Sequence, residues 1–267
     1  EVKLPTTISE MMDNKKKNRY KNILPYDSTR VVLRKSAELS DYINANFIDV
    51  SGYSQLRKFI ATQGPLTRTS EDFWRMVWEQ ESLIIVMLAN VMEGGKAKCA
   101  KYWPEFGKSC TYGGYNVQTV NEENRGFYIL RTIHLKESGN EYASPTRKIQ
   151  HFQYIRWPDH GVPLITSSLI RMHNKVNAEY GDLVKDKTFP IIVHCSDGAG
   201  RSGVFCALNN LIQRLRAEDE IDVFRTVKDL RDMRPHMVRS FVSFISSLHF
   251  DVDHFVFRLQ GGFNEIS

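Results

Sequence analysis

Cysteine is scarce in this chain. Its four cysteines, Cys99, Cys110, Cys195 and Cys206, form no Cys-x-x-Cys pair and no Cys/His spacing that suits a metal. No metal site is expected, and a reducing, cytosolic setting is. No apolar run is long enough to cross a bilayer and no signal-peptide pattern is present, so no membrane insertion by this chain is expected. Aromatic residues are not interleaved with basic ones as in a nucleic-acid groove, which argues against a nucleic-acid partner. Internal repeats, low-complexity segments and Pro/Gly-rich linkers are lacking too, so residues 1–267 are expected to form one domain. The first residue is Glu, not Met, which suggests a domain cut from a longer protein.

What remains is ordinary for a globular fold. Apolar residues make up 42% of the 267 and charged residues 25%, ample for a sizeable core. The net charge of +5 owes much to Lys15, Lys16 and Lys17 and to scattered arginines. It implies a solvated surface and at most a weak preference for acidic substrates.

One stretch, Ile191 to Gly203, organises the chain. Phe189 to Val193 is a short apolar run, expected as a buried strand. Val204 to Arg216 has apolar residues at helical spacing. The loop between them contains Gly198, Gly200 and Gly203, which let a backbone curl and approach a ligand closely. Strand, glycine loop and helix N-terminus together make an anion cradle of inward-pointing N–H groups, aided by the helix dipole. Into it the sequence places a thiol, Cys195, and a guanidinium, Arg201, with five residues between them. A thiol facing amides and Arg⁺ is expected to ionise well below its free pKa of roughly 8.5, which would make it a nucleophile for a tetrahedral anion. Arg201 suits a two-point grip on phosphate oxygens, which a lysine cannot make. The Gly-Lys-Ser/Thr ending of a nucleotide-binding loop is absent.

The stretch His194-Cys195-Ser196-Asp197-Gly198-Ala199-Gly200-Arg201-Ser202-Gly203 resembles the signature loop of the classical protein tyrosine phosphatases, His-Cys-Ser-Ala-Gly-x-Gly-Arg-Ser/Thr-Gly. It departs at Asp197, where the family usually has alanine. Further matches run from Asn18 to Val238, nearly the whole chain. They imply an α/β fold with a twisted, mixed central sheet flanked by helices. They also imply that Cys195 is the nucleophile, that Arg201 grips phosphate, that Ser202 hydrogen-bonds the leaving thiolate, and that His194 fixes the loop. Residues Ser196 to Gly200 would line the phosphate site.

Other segments extend the resemblance. Ile8 to about Lys17 is expected as a polar helix, and Lys17 to Asp27 matches the family's phosphotyrosine loop. Tyr20 there is implied to wall a pocket deep enough for phosphotyrosine. Arg30 to Leu33, Asp41 to Ile48, Phe59 to Pro65 (with a breaker at its end) and Leu83 to Ala89 are expected as strands. A helix is expected from Thr69 onward, with Phe73, Trp74, Val77 and Trp78 on its apolar face. Glu93 and Lys98 stand where the family has a glutamate paired with the signature arginine and a lysine that meets the general-acid loop. Asn116 to Val120, Phe127 to Leu135 and Arg147 to Ile155 alternate like antiparallel strands.

The motif Trp157-Pro158-Asp159-His160-Gly161 is intact relative to the family. Phenolate leaves with difficulty unless protonated, and a carboxylic acid on a mobile loop supplies that proton. Asp159 is the expected general acid and Trp157 the expected hinge. Leu164 to Tyr180 and Ile221 to Leu230 are expected as helices.

The departures concentrate at one end. Where the family has Met-Val-Gln-Thr-x-x-Gln-Tyr, this chain has Met237-Val238-Arg239 and then Ser243-Phe244. Losing the water-positioning glutamines should slow hydrolysis of a cysteinyl-phosphate. A carboxylate at position 197 would repel a phosphate by about 3 kcal/mol per pair of unit charges if it lay roughly 6 Å away at an effective dielectric of about 20, and by less if its side chain points to solvent. It should also raise the Cys195 pKa, and pairing with Arg239 would offset it. The expectation is a cofactor-free phosphatase acting slowly on phosphotyrosine-containing proteins. The alternative is a non-enzymatic phosphotyrosine-binding or regulatory domain. Either would be cytoplasmic, free or as the intracellular part of a receptor. A dual-specificity enzyme is disfavoured by the Tyr20 motif.

Overall fold

The run Ile191-Ile192-Val193-His194 alternates between two apolar layers, and that explains why it reads as a continuous hydrophobic stretch. Ile191 and Val193 point into one core, and Ile192 into the other. The computed structural model describes residues 4–49, 58–139, 145–158, 161, 163, 165–184 and 188–239. Among them one mixed sheet of nine strands carries helices on both faces, as the resemblance implies.

The run forms β11 (Ile191–His194), an inner strand of the sheet. It lies parallel to β3 (Phe59–Thr62) on one side and β4 (Ile84–Met87) on the other. Outward from β3 come β2 (Tyr42–Ile48) and β1 (Arg30–Val32), both antiparallel to their neighbours. Outward from β4, β10 (Arg147–Tyr154) is parallel. β9 (Tyr128–Glu137), β8 (Tyr115–Asn124) and β7 (Ser109–Tyr112) then complete an antiparallel meander.

One face is covered by α4 (Thr166–Leu183), α5 (Gly200–Glu218) and α6 (Val223–Met233), whose Met172, Phe205, Leu211 and Leu230 meet Phe59, Val86 and Val193. α6 starts at Asp222, whose carboxylate accepts from Arg225 N–H at 2.8 Å. The other face is covered by α3 (Ser70–Glu79), with Phe73, Trp74 and Val77 against Ile60, Ile85 and Ile192. The three apolar residues of β11 are fully buried. At about 1.5–3 kcal/mol each, they anchor the platform from which the glycine loop departs.

Two of the expected helices differ from expectation. The N-terminal helix is two short turns, α1 (Thr7–Glu10) and α2 (Met12–Lys15), broken where Met11 adopts extended backbone (ψ 142°). The Asp27 carboxylate takes the N–H groups of Thr7 and Ile8, so it fixes the first turn apart from the second. α5 begins at Gly200, not Val204, so Arg201 and Ser202 lie in its first turn.

Candidate active site

Parallel strands leave unsatisfied groups at their carboxyl ends, where ligands of open α/β sheets bind. Here the loop from Cys195 to Ala199 fills that position and leads into α5. Gly198 adopts a left-handed backbone (φ +68°), and a Cβ there would lie 2.2 Å from Thr62 O at the end of β3. No other residue fits. Gly203 is equally confined, since a Cβ would lie 2.3 Å from Val238 N. That close approach lets Val238 N–H donate to Ala199 O at 3.2 Å and brings Arg239 to the loop's mouth.

The loop is also held from below. Arg234 is completely buried. It donates to Gly198 O at 2.8 Å, Asp197 O at 3.1 Å, Asn46 Oδ1 at 2.7 Å and Asn44 Oδ1 at 2.8 Å. Burial pushes its pKa down to about 10 against the attraction of Asp197. Sequence reasoning passed over this residue; a fixed cation beneath an anion site leaves no periodic trace.

Cys195 is buried, and its Sγ donates to Asp197 Oδ1 at 3.1 Å. The same oxygen accepts the N–H groups of Ala199 (2.9 Å) and Gly200 (3.1 Å). Asp197 Oδ2 meets Arg239 Nη2 at 2.9 Å. The pairing expected of these two residues is therefore present. Burial works to raise the Asp197 pKa, but the two amides, the thiol and Arg239 outweigh it and hold the carboxyl below its usual value.

The thiol does not ionise early as the cradle alone predicts; the rise expected from Asp197 is present. Burial first, then the Asp197 charge, push the Cys195 pKa up. The buried Ser202 hydroxyl makes no hydrogen bond of full geometry, yet it and the Ser202 N–H face the sulfur and oppose the rise. Magnitudes explain the outcome. At 3.1 Å and an effective dielectric of about 20, thiolate and carboxylate would repel by about 5 kcal/mol. The compensating Arg239 side chain is 59% exposed, so solvent screens it.

Arg201 is held as the resemblance implies. Its Nη1 donates to Glu93 Oε1 at 2.7 Å and to Leu88 O at 3.1 Å. Its Nη2 donates to Glu93 Oε2 at 2.8 Å and to Pro158 O at 3.2 Å. Glu93 lies in a hairpin that sequence reasoning missed, β5 (Met92–Glu93) with β6 (Lys96–Ala97), turned by Gly94 and Gly95 at positive φ. That Gly-Gly pair was the available signal. Lys98 Nζ stands 4.0 Å from Glu93 Oε2.

Tyr20 OH lies 2.9 Å from Ser196 Oγ, so its ring stands beside the loop. Gln63 clamps that segment. It accepts from Arg19 N–H and donates to Lys17 O, both at 2.8 Å. Trp157 is buried against Tyr154, donates to Gly161 O at 3.2 Å and lies under the Arg201 guanidinium. His194 is buried with Nδ1 3.2 Å from Cys195 O. Asp159, the expected general acid, lies outside the described residues, as do Ser243 and Phe244. The other expected site residues converge on this one place. Among the described residues no cluster of three or more His, Cys, Asp or Glu is placed to hold a metal ion. No described helix is long and apolar enough to cross a membrane.

A buried thiol beside an amide cradle, with an arginine clamped by Glu93, thus forms the heart of the site. The family model for protein-tyrosine phosphatase matches residues 14–250, and the chain belongs to that family. It is 43% identical over 229 residues to mouse receptor-type tyrosine-protein phosphatase alpha, covering 85% of this chain and 26% of that protein. It is 44% identical over the same length to chicken receptor-type tyrosine-protein phosphatase S and human receptor-type tyrosine-protein phosphatase F, covering 85% of this chain and 15% and 12% of theirs. The chain thus spans between 12% and 26% of the length of these relatives.

Proposed function

We propose that this domain hydrolyses phosphotyrosine in proteins through a cysteinyl-phosphate, and that it turns over slowly. The observation that carries the reading is the placement of Cys195 Sγ beside the amide cradle with Arg201 fixed bidentately by Glu93. In the first step the Cys195 thiolate attacks phosphorus and the bond to the phenolic oxygen breaks. Asp159 gives its carboxyl proton to that oxygen. In the second step water attacks phosphorus, Asp159 takes its proton, and the thiolate leaves toward Ser202. No cofactor enters either step. Arg201 would exchange one of its present acceptors for phosphate oxygens, while Tyr20 flanks the aryl ring and sets the depth of the pocket.

Two features support slowness. Asp197 Oδ1 occupies the Ala199 and Gly200 amides that would receive phosphate oxygens, and it stabilises the protonated thiol. Arg239 stands where the family's water-positioning glutamine belongs, so the second step suffers more than the first. The occupied amides equally favour a second reading, a phosphotyrosine-binding regulatory domain. The receptor-type relatives favour a cytoplasmic setting inside a receptor.

Steady-state hydrolysis of a phosphotyrosine peptide decides between them, run beside Cys195→Ser and Asp197→Ala. Parent turnover that disappears in Cys195→Ser establishes the enzyme. Peptide binding without turnover, with activity appearing in Asp197→Ala, establishes the binding domain.

A further inference from the structure

A line of buried polar groups leaves the loop and crosses four strands. His194 Nδ1 faces Cys195 O, and His194 Nε2 lies 2.7 Å from Tyr102 OH. The same hydroxyl lies 2.8 Å from His151 Nε2 on β10. His151 Nδ1 stands 3.5 Å from Arg131 Nη1 on β9, a long contact. Arg131 in turn donates to Gln153 Oε1 at 2.8 Å and through Nε to Glu122 Oε2 at 2.6 Å on β8. Tyr102, His151 and His194 are fully buried, and only Glu122 reaches solvent.

The two ends fix the direction of every hydrogen bond between them. A carbonyl only accepts, so the hydrogen of neutral His194 is on Nδ1 and its Nε2 is bare. Tyr102 has one hydrogen and must give it to that Nε2. Its oxygen then accepts from His151, whose hydrogen is therefore on Nε2. The bare His151 Nδ1 faces Arg131, which only donates. Both imidazoles are neutral on the same grounds: they are buried, with Arg131 beside one and Arg19 near the other. The Cys195 carbonyl at the end of the line is also directed at Gly64, where a Cβ would come within 2.6 Å of it.

We propose that His151 and Arg131 are positioning residues: acting through Tyr102 they hold His194 as its Nδ1–H tautomer against the Cys195 carbonyl, and so fix the peptide that aims the sulfur. Its kinetic consequence rests on the phosphatase reading; its tautomers do not.

Long-range ¹⁵N–¹H spectra of the intact labelled chain test it directly. The expected result is His194 with hydrogen on Nδ1 and His151 with hydrogen on Nε2. The opposite tautomer at either residue, or an imidazolium at neutral pH, overturns the proposal. His151→Gln keeps a donor at the Nε2 position, whereas His151→Leu and Arg131→Met remove one link each. In the latter two, His194 should populate both tautomers and the pH profile of Cys195 alkylation by iodoacetamide should shift. His151→Gln should restore both readouts. If the chain turns over phosphotyrosine, kcat should fall about tenfold at unchanged KM in the two disrupted variants. An unaltered His194 tautomer and alkylation profile in folded Arg131→Met would overturn the positioning role, whether or not the chain is a phosphatase.

Discussion

Asp197 connects a surface cation to a buried thiol: Oδ2 meets Arg239 Nη2 at 2.9 Å, and Oδ1 accepts from Cys195 Sγ at 3.1 Å. One carboxylate therefore favours the protonated thiol while a cation at the rim holds the carboxylate. Asp197→Ala should lower the Cys195 pKa, and alkylation by iodoacetamide at pH 7 should speed up about tenfold, one pKa unit. Arg239→Ala should do the opposite, because the carboxylate loses its counter-charge. With Asp197 already replaced by Ala, Arg239→Ala should have little effect on alkylation. Equal effects of Arg239→Ala in both backgrounds would break the connection.

The Glu93 clamp can be tested independently of the thiol. Glu93→Gln keeps the shape but removes the charge and one of the two acceptors for Arg201. Vanadate, a phosphate-like anion, should bind about tenfold more weakly, a charge-assisted hydrogen bond being worth about 1.5–3 kcal/mol. Unchanged vanadate affinity would remove Glu93 from the site.

Gly198 and Gly203 should fail differently when replaced by alanine. At 198 the new methyl meets the Thr62 carbonyl of β3 in a left-handed backbone, which should cost about 3 kcal/mol of stability in urea unfolding. At 203 it meets Val238 N in the segment that carries Arg239. Gly203→Ala should therefore also reproduce the slower alkylation of Arg239→Ala. A fully stable Gly198→Ala would contradict the packing of loop on strand.

Among the described residues three buried histidines, His151, His173 and His194, make stability depend on acid pH. Burial lowers His194 and His173 to about 4 and His151 well below its usual value. Unfolded histidine binds its proton near 6.5, so below that pH the unfolded state holds more protons and folding stability falls. The stabilisation is complete above about 6.5 and is lost progressively as pH drops toward 4. Each histidine contributes a slope of about 1.4 kcal/mol per pH unit once its unfolded form is protonated. Urea midpoints should drop steeply between pH 6.5 and 4.5; a flat profile would mean that these rings accept protons in place.

The loop, the arginine and the flanking strand and helix were legible because each depends on neighbours a few residues away. Gly198 must be glycine for local reasons, and Ile191 to Val193 carry their own burial pattern. The Arg239–Asp197 pair could be anticipated from two departures occurring together. The Asp197 contribution to the raised thiol pKa could be anticipated too, but the larger one, burial, could not, since it depends on how deeply the fold encloses Cys195. Arg234, Gln63 and the His151–Arg131 line escaped for a related reason: their partners lie on other strands, and a single polar residue carries no period. The break at Met11 depends on Asp27, sixteen positions on.

Thr62 O presses so closely on Gly198 that the end of β3 acts as a mould for the loop. Positions whose atoms touch the mould have no freedom to vary, while position 197 turns its side chain toward the mouth. A lineage can therefore rewrite the chemistry of the cradle at 197 and 239 without recasting its shape. The same casting would then serve a fast enzyme, a slow one or a receptacle for phosphotyrosine, according to which charges stand at its rim.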